Sequence, residues 1–156
     1  MEPTEIKPKD KNYRIPLFGI VTSIYWFTLY TYIPTFSPYL ESKGISHGMI
    51  GIILGSYGLV QMLLRIPLGI YSDRINKRKI FVILGVLVGT ISALGLWLFE
   101  NTYLILISRS LAGVAASCWV SYTVLFSSYY TRKETSKSVG IINSFNKTSQ
   151  VSAMLL

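Results

Sequence analysis

The sequence predicts an all-α membrane protein, on three observations. Apolar segments with at most one charge recur along the chain, separated by charged residues. Each approaches the roughly 20 residues that a helix needs to cross a bilayer core. Hydrophobic residues make up 51% of the chain, more than an ordinary soluble domain carries. The basic residues between the segments alternate, which sorts them to one side of a membrane. Open strands would leave backbone groups unpaired in lipid, so the spans are expected to be helices.

Taken in order, residues 1–14 form a charged tail with Lys7, Lys9, Lys11 and Arg14. The apolar stretch that follows is too long for a secretory signal core, so it is expected to stay as the first span. That span covers residues 15–40, between Arg14 and Glu41. Pro34 and Pro38 are expected to kink or end it near the outer side. Tyr25, Thr28 and Tyr32 follow helical spacing with Trp26 beside them. This stripe either lines a polar cavity or packs against a neighbour with its hydroxyls bonded to backbone.

The second span covers about residues 46–71 and is rich in glycine. Gly44 and Gly48, then Gly51 and Gly55, lie four apart, with Gly58 following. Small residues at that spacing let two helices approach closely, and Gly85 and Gly89 repeat the device in the third span, residues 80–99. The turn Glu100-Asn101-Thr102 is short enough to force spans three and four into an antiparallel hairpin. The fourth span covers residues 103–127 and the fifth residues 139–156. Between them the polar, basic segment from Tyr129 to Ser138 is expected to form a surface loop. The count is four full spans and a fifth that the chain end cuts. The chain therefore reads as part of the N-terminal portion of a larger membrane protein.

The net charge of +8 raises the question of nucleic acid. Its placement excludes that partner, because a nucleic-acid patch has no reason to alternate with apolar spans. The tail is rich in basic residues, the first loop holds only Lys43, and the second holds Arg74, Lys77, Arg78 and Lys79. The third holds none, and the fourth holds Arg132, Lys133 and Lys137. This is the positive-inside pattern with a cytoplasmic N-terminus, expected of a multi-pass protein of the plasma, or inner, membrane. Cys118 is the only cysteine and His47 the only histidine. No intramolecular disulfide, metal cluster or cofactor is expected, and His47 reads as a solvated turn residue.

Arg109 is the most informative residue. A guanidinium at a helix centre costs at least ~2.5–3.5 kcal/mol on insertion scales, so it is expected to face protein or a water-filled cavity. Arg109-x-x-x-Gly113, with Ala115 and Ala116, leaves room for another helix beside it. An expensive charge beside a tight helix contact points first to a solute pathway. The competing reading makes Arg109 a structural tie between helices. Lys147, about eight residues inside the fifth span, is the second cation placed within a span, and no span contains a carboxylate of its own. Either the cavity takes an anionic substrate, or acids beyond Leu156 pair with these cations, which buried charges generally require.

The segment Gly69-Ile-Tyr-Ser-Asp73-Arg74-Ile-Asn76-Lys77-Arg78-Lys79 closes the second span. Asp73 lies near a helix C-terminus, where the dipole disfavours an anion, so it needs nearby cations. Arg65, Gly69 and Asp73 share a face if the helix continues that far. The segment resembles the signature loop of the major facilitator superfamily, Gly-x-Leu-Ala/Ser-Asp-Arg/Lys-x-Gly-Arg-Arg/Lys. Gly69, Ser72, Asp73, Arg74 and Arg78 match; Tyr71 stands for Leu, Lys77 for Arg, and Asn76 for Gly. Asn tolerates the left-handed backbone that glycine favours, and Lys77 keeps the charge but loses the bidentate fork. Arg109-x-x-x-Gly113 with Ala116 resembles the family's fourth-helix motif.

The resemblance implies a twelve-helix bundle in two six-helix halves, of which residues 15–156 are part of the first, truncated within the fifth helix. It also implies a small-molecule substrate near the midplane, rocking alternating access driven by an ion or solute gradient, and a lipid bilayer and a C-terminal half as partners. Gly69, Asp73, Arg74 and Arg78 become a conformational latch, and Arg109, Tyr25, Tyr32 and Lys147 a substrate or coupling pathway. Gly51, Gly55 and Gly113 become helix-packing positions. The fifth segment, Ser149 to Leu156, lacks the Gly-Pro-rich motif of the family's drug antiporters. A membrane enzyme would need a nucleophile, base or metal set, and Ser117, Cys118 and Ser121 have no histidine partner at visible spacing. No Walker-type phosphate loop is present. A non-transporting scaffold or sensor is the alternative function.

Overall fold

The computed structural model describes residues 8–75 and 77–155 and contains helices and no strand among them. The elements are α1 (Pro8–Tyr30), α2 (Ile33–Ser42), α3 (His47–Ile75), α4 (Arg78–Leu98), α5 (Thr102–Ser117), α6 (Trp119–Ser127) and α7 (Thr135–Met154). A 3-10 turn at Arg132–Glu134 leads into α7. Among the described residues three helical stretches are long and apolar enough to cross a membrane: His47–Ile75, Arg78–Leu98 and Thr102–Ser127. The basic tail up to Lys7 and Asn76 lie outside the described residues.

Residues 15–40, read from sequence as one span, hold two helices separated by a turn at Thr31 and Tyr32. The break falls just before Pro34, which sits in the first turn of α2. A proline tolerates that position because its missing N–H needs no partner there. Helix α1 also begins earlier than residue 15, at Pro8. The expected loop from Tyr129 to Ser138 is corrected as well. Its second part is helical from Thr135, and Ser138 is fully buried, donating to the Thr135 carbonyl at 2.7 Å. Polar residues continue a helix beyond its apolar stretch without cost where they meet water or protein, so apolar runs alone understate helix length.

The fourth span runs from Thr102 to Ser127 with a break at Cys118. Ser117 Oγ donates to the Val114 carbonyl at 2.6 Å, and the Cys118 N–H bonds back three residues to Ala115 at 3.1 Å. Hydroxyls that capture carbonyls of the preceding turn bend helices in this way. Asn101 caps the N-terminus of α5, accepting from the Tyr103 and Leu104 N–H groups at 2.9 and 3.4 Å. That satisfies two of the donors that a helix start leaves unpaired.

The chain divides into two compact units. One spans Tyr32–Tyr122 and is built around α5, which packs against α3 on one side and α4 on the other. Its apolar cluster joins Phe36 and Leu40 of α2, Ile50 and Ile53 of α3, and Ile105 of α5. Small residues set the spacing of its helices. A Cβ on Gly113 would sit 2.5 Å from the Tyr57 carbonyl oxygen and 3.1 Å from Val60 Cβ. A Cβ on Gly85 would sit 3.0 Å from Cys118 Cβ, and one on Gly95 would overlap Ser108 Oγ. Ser92 of α4 donates to the Ser108 carbonyl of α5 at 2.7 Å in the same buried seam.

The other unit holds α1, the end of the chain from Thr123 and helix α7. Here α1 and α7 run side by side, with Phe145 seated on Gly19; a Cβ there would meet its ring at 2.9 Å. Phe18 packs on Phe126 and Tyr129, with ring centroids 5.4 and 6.1 Å away.

Candidate functional site

Two groups of residues in the Tyr32–Tyr122 unit carry chemistry. The first surrounds Arg109, which sits two turns into α5 and is only 4% exposed. Its helix places it opposite α2 and α3, the two elements that supply aromatic rings. The guanidinium carbon lies 4.5 Å from the Tyr57 ring centroid, 5.4 Å from that of Tyr32 and 5.7 Å from that of Phe36. Tyr32 and Phe36 meet edge to face at 5.4 Å, so two sides of the box brace each other. Nη1 of Arg109 donates to the Tyr32 hydroxyl. Nε is buried and has no hydrogen-bond partner among the described residues.

Aromatic faces attract a cation by their quadrupole, worth about 0.5–2 kcal/mol each depending on desolvation. Rings offset part of the cost of removing the charge from water, but none supplies a counter-charge. No ion pair among the described residues involves Arg109; Lys43 pairs with Glu100 and Arg78 with Asp73 elsewhere in the unit. The site is therefore a desolvated cation in an aromatic box with open donor capacity. Its depth follows from Gly113, one turn further along α5, where the absent side chain brings the Tyr57 backbone close.

The second group closes α3. The helix continues to Ile75, so Asp73 and Arg74 lie on its last turn and Arg65, Gly69 and Asp73 fall along one face. Arg78 opens α4 and its Nη2 donates to Asp73 Oδ1 at 3.1 Å across the connection. Ser72 is buried and accepts from Ser121 Oγ of α6 at 3.0 Å, while Gly69 lies in ordinary contact range of Val120, 3.6 Å from a Cβ built there. The segment thus straps the end of α3 to both α4 and α6. Arg74 stays exposed and without an ion pair among the described residues.

At the opposite end of the same unit, Lys43 pairs with Glu100 at 2.5 Å and ties the α2–α3 connection to the α4–α5 turn. That hydrogen bond, followed by the charge attraction, holds the Glu100 carboxyl below its ordinary pKa and the Lys43 ammonium above its own. His47 is 91% exposed at the start of α3.

Of the residues expected to form a pathway, the structure brings together Arg109 and Tyr32. Tyr25 and Lys147 belong to the other unit. There Tyr25 is buried, with its ring 5.7 Å from that of Trp26, and the exposed Lys147 donates to Gln150 Oε1 at 3.1 Å. A shallow groove in that unit is lined by Ser23, Ile24, Phe27, Thr148, Ser149 and Ser152. Of the expected packing glycines, Gly113 makes a tight contact, whereas Gly51 and Gly55 have nothing within 4 Å of a built Cβ. The face of α3 that meets α5 carries Tyr57 and Val60, and the Gly51–Gly55 positions point elsewhere. Sequence reasoning missed Tyr57 and Phe36, and it gave Ser121 no contact with Ser72. Their roles depend on contacts between helices, which spacing along one helix does not encode.

Comparison with known proteins matches this arrangement to one family. The family model for the Major Facilitator Superfamily matches residues 18–156. A protein of Buchnera aphidicola subsp. Schizaphis graminum, named as an uncharacterized transporter, is 32% identical over 127 residues, covering 80% of this chain and 32% of that protein. The inner membrane transport protein YajR of Escherichia coli is 32% identical over 99 residues, covering 63% of this chain and 22% of that protein. A third relative, from Buchnera aphidicola subsp. Baizongia pistaciae and again named as an uncharacterized transporter, is 28% identical over 122 residues, 78% of this chain and 30% of that protein. The chain spans about a third or less of the length of these curated relatives. No solved structure matches it. With a family match that runs through the Asp73–Arg78 strap and the Arg109 box, this chain belongs to the major facilitator superfamily of integral membrane proteins.

Proposed function

We propose that the complete protein carries a small solute across the plasma, or inner, membrane as a gradient-driven carrier with alternating access. One observation carries this reading: a guanidinium 4% exposed inside a helix long and apolar enough to cross a membrane. Intramembrane ionisable residues are costly and mark substrate or ion pathways. In this reading Arg109 and Tyr32 contact the solute or the coupling ion. Tyr25 and Lys147 of the other unit are further pathway candidates in this reading. The basic connections around Lys77 and Lys133, and the N-terminus, face the cytoplasm, in keeping with the positive-inside rule.

The strap Gly69–Asp73–Arg74–Arg78 acts as a conformational latch. The Asp73–Arg78 pair is solvent-facing and contributes at most ~1 kcal/mol to stability. A weak pair suits a contact that must break and reform in each cycle. Arg74 is the cation left over for a second acceptor, which the C-terminal half would supply. The protein is a carrier with no catalytic residue and no cofactor requirement.

The test is uptake by the complete protein in proteoliposomes under an imposed proton gradient, with solutes from a cell extract identified by mass spectrometry. Accumulation of at least one solute, lost in Arg109→Ala while insertion and folding persist, supports the reading. No accumulation favours a scaffold or sensor. Parental uptake by the variant makes Arg109 a structural tie.

A further inference from the structure

We infer that the Arg109 box is an anion site, and that the substrate class is a small organic anion with a flat apolar body. The inference deepens the carrier reading and rests on it for the word substrate, but the binding site stands on its own geometry.

The guanidinium presents two edges. At one, Nη1 is engaged by the Tyr32 hydroxyl. At the other, Nε is buried and has no hydrogen-bond partner, and no described residue accepts from Nη2. A planar guanidinium binds carboxylate, phosphonate or sulfonate oxygens through two parallel N–H donors. The edge left open here is such a pair. A buried donor without an acceptor is costly, and the cost is greater for a charged group. The box relieves it with three rings and one phenol, all neutral. Among the described residues of the helices that form it, the carboxylates are Glu41 at the end of α2 and Asp73 at the end of α3. Glu41 lies 3.7 Å from His47, and Asp73 is paired with Arg78. Among the described residues of these helices the charge is therefore uncompensated, and an anion is a ligand that would compensate it.

The rings determine the rest of the ligand. Tyr57, Tyr32 and Phe36 surround the cation at 4.5–5.7 Å. A ligand whose anionic end meets Nε and Nη2 lays its body against these faces. A flat apolar body gains ring contacts there, whereas a polyol would leave hydroxyls unpaired. Tyr32 sits at the edge of the box. It occupies the N-cap position of α2, beside the turn that separates α2 from α1. Its hydroxyl engages Nη1 and leaves the Nε–Nη2 edge to the ligand.

The experiment uses the complete protein in detergent and three probes of one shape: benzoate, benzyl alcohol and benzylammonium. The measured quantities are the thermal shift and a titrated Kd. The site predicts a shift with benzoate and none with the other two. Arg109→Gln abolishes it. Arg109→Lys, which keeps the charge and loses the fork, weakens binding about tenfold or more, the effect of one lost charge-assisted hydrogen bond. Equal shifts from all three probes, a benzoate shift that survives in Arg109→Gln, no shift with benzoate, or an unchanged Kd in Arg109→Lys each overturn the inference. If Arg109→Gln fails to fold, the Arg109→Lys titration decides. Benzoate binding without solute flux in proteoliposomes would sink the carrier reading and leave the anion site standing.

Discussion

Replacing Gly113 with alanine separates helix packing from helix propensity. A Cβ there lies 2.5 Å from the Tyr57 carbonyl oxygen, and ordinary carbon–oxygen contacts begin near ~3.3 Å. Helices α3 and α5 must therefore part by roughly 0.8 Å at this level, and backbone offers no rotamer to absorb it. Overpacking of this kind costs about 1–3 kcal/mol. The alanine also gains about 1 kcal/mol of helix propensity over glycine. A control cancels the second effect. Gly69 lies on α3, where a Cβ meets Val120 at an ordinary 3.6 Å. The stability difference between Gly69→Ala and Gly113→Ala isolates the contact and is expected at about 1–3 kcal/mol, with Gly113→Ala the weaker. The assay is reversible unfolding of the complete protein in mixed micelles, followed by circular dichroism. The displacement also moves the Tyr57 ring away from Arg109, so Gly113→Ala is expected to weaken benzoate binding as well. Equal stability of the two variants would refute the close approach of α3 and α5.

Two further outcomes follow from local contacts. Asn101→Ala removes the cap that serves two N–H groups of α5 and is expected to cost about 1 kcal/mol in the same assay, with Asn101→Asp recovering most of it. The Lys43–Glu100 pair gives a pH dependence. Glu100 has a folded pKa below its ordinary 4.5, so its contribution is present above that value and is lost as pH falls through the lower, folded pKa. Lys43 is raised above 10.5, so its contribution is present below that value and is lost as pH rises through the folded one. Stability from this pair is therefore flat through neutral pH. Glu100→Gln is expected to reduce the acid-side decline of an unfolding profile; a decline unchanged from the parent would contradict the pair.

The helices α3, α4 and α5–α6 were legible because each is a long apolar run with few charges inside it and charged residues near its ends. The family resemblance of the Gly69–Lys79 segment was legible for a different reason, since its residue types and spacing are local. What failed to show did so for physical reasons. The Tyr25–Thr28–Tyr32 stripe assumed one continuous helix, and the turn at Thr31 and Tyr32 places Tyr32 in a different unit from Tyr25. Pro34 signals a discontinuity, but a proline in the first turn of a new helix and one that ends the old helix read alike in sequence. The Gly51 and Gly55 spacing predicts a smooth face, yet a smooth face does not say which neighbour meets it. Nothing in the residue pattern around Tyr57 marks it in a glycine-rich span. Its ring became part of the Arg109 box only through the approach that Gly113 permits.

The most direct test of the account is sidedness, because every role proposed for Arg109 and the strap requires that α3 cross the membrane. His47 and Lys79 are exposed at the start of α3 and just beyond its end. Each is replaced singly by cysteine in a Cys118→Ser background of the complete protein, and intact cells are treated with a membrane-impermeant maleimide. The account predicts labelling of the His47→Cys variant in intact cells and of the Lys79→Cys variant only after permeabilisation. Labelling of both from the same side would contradict it.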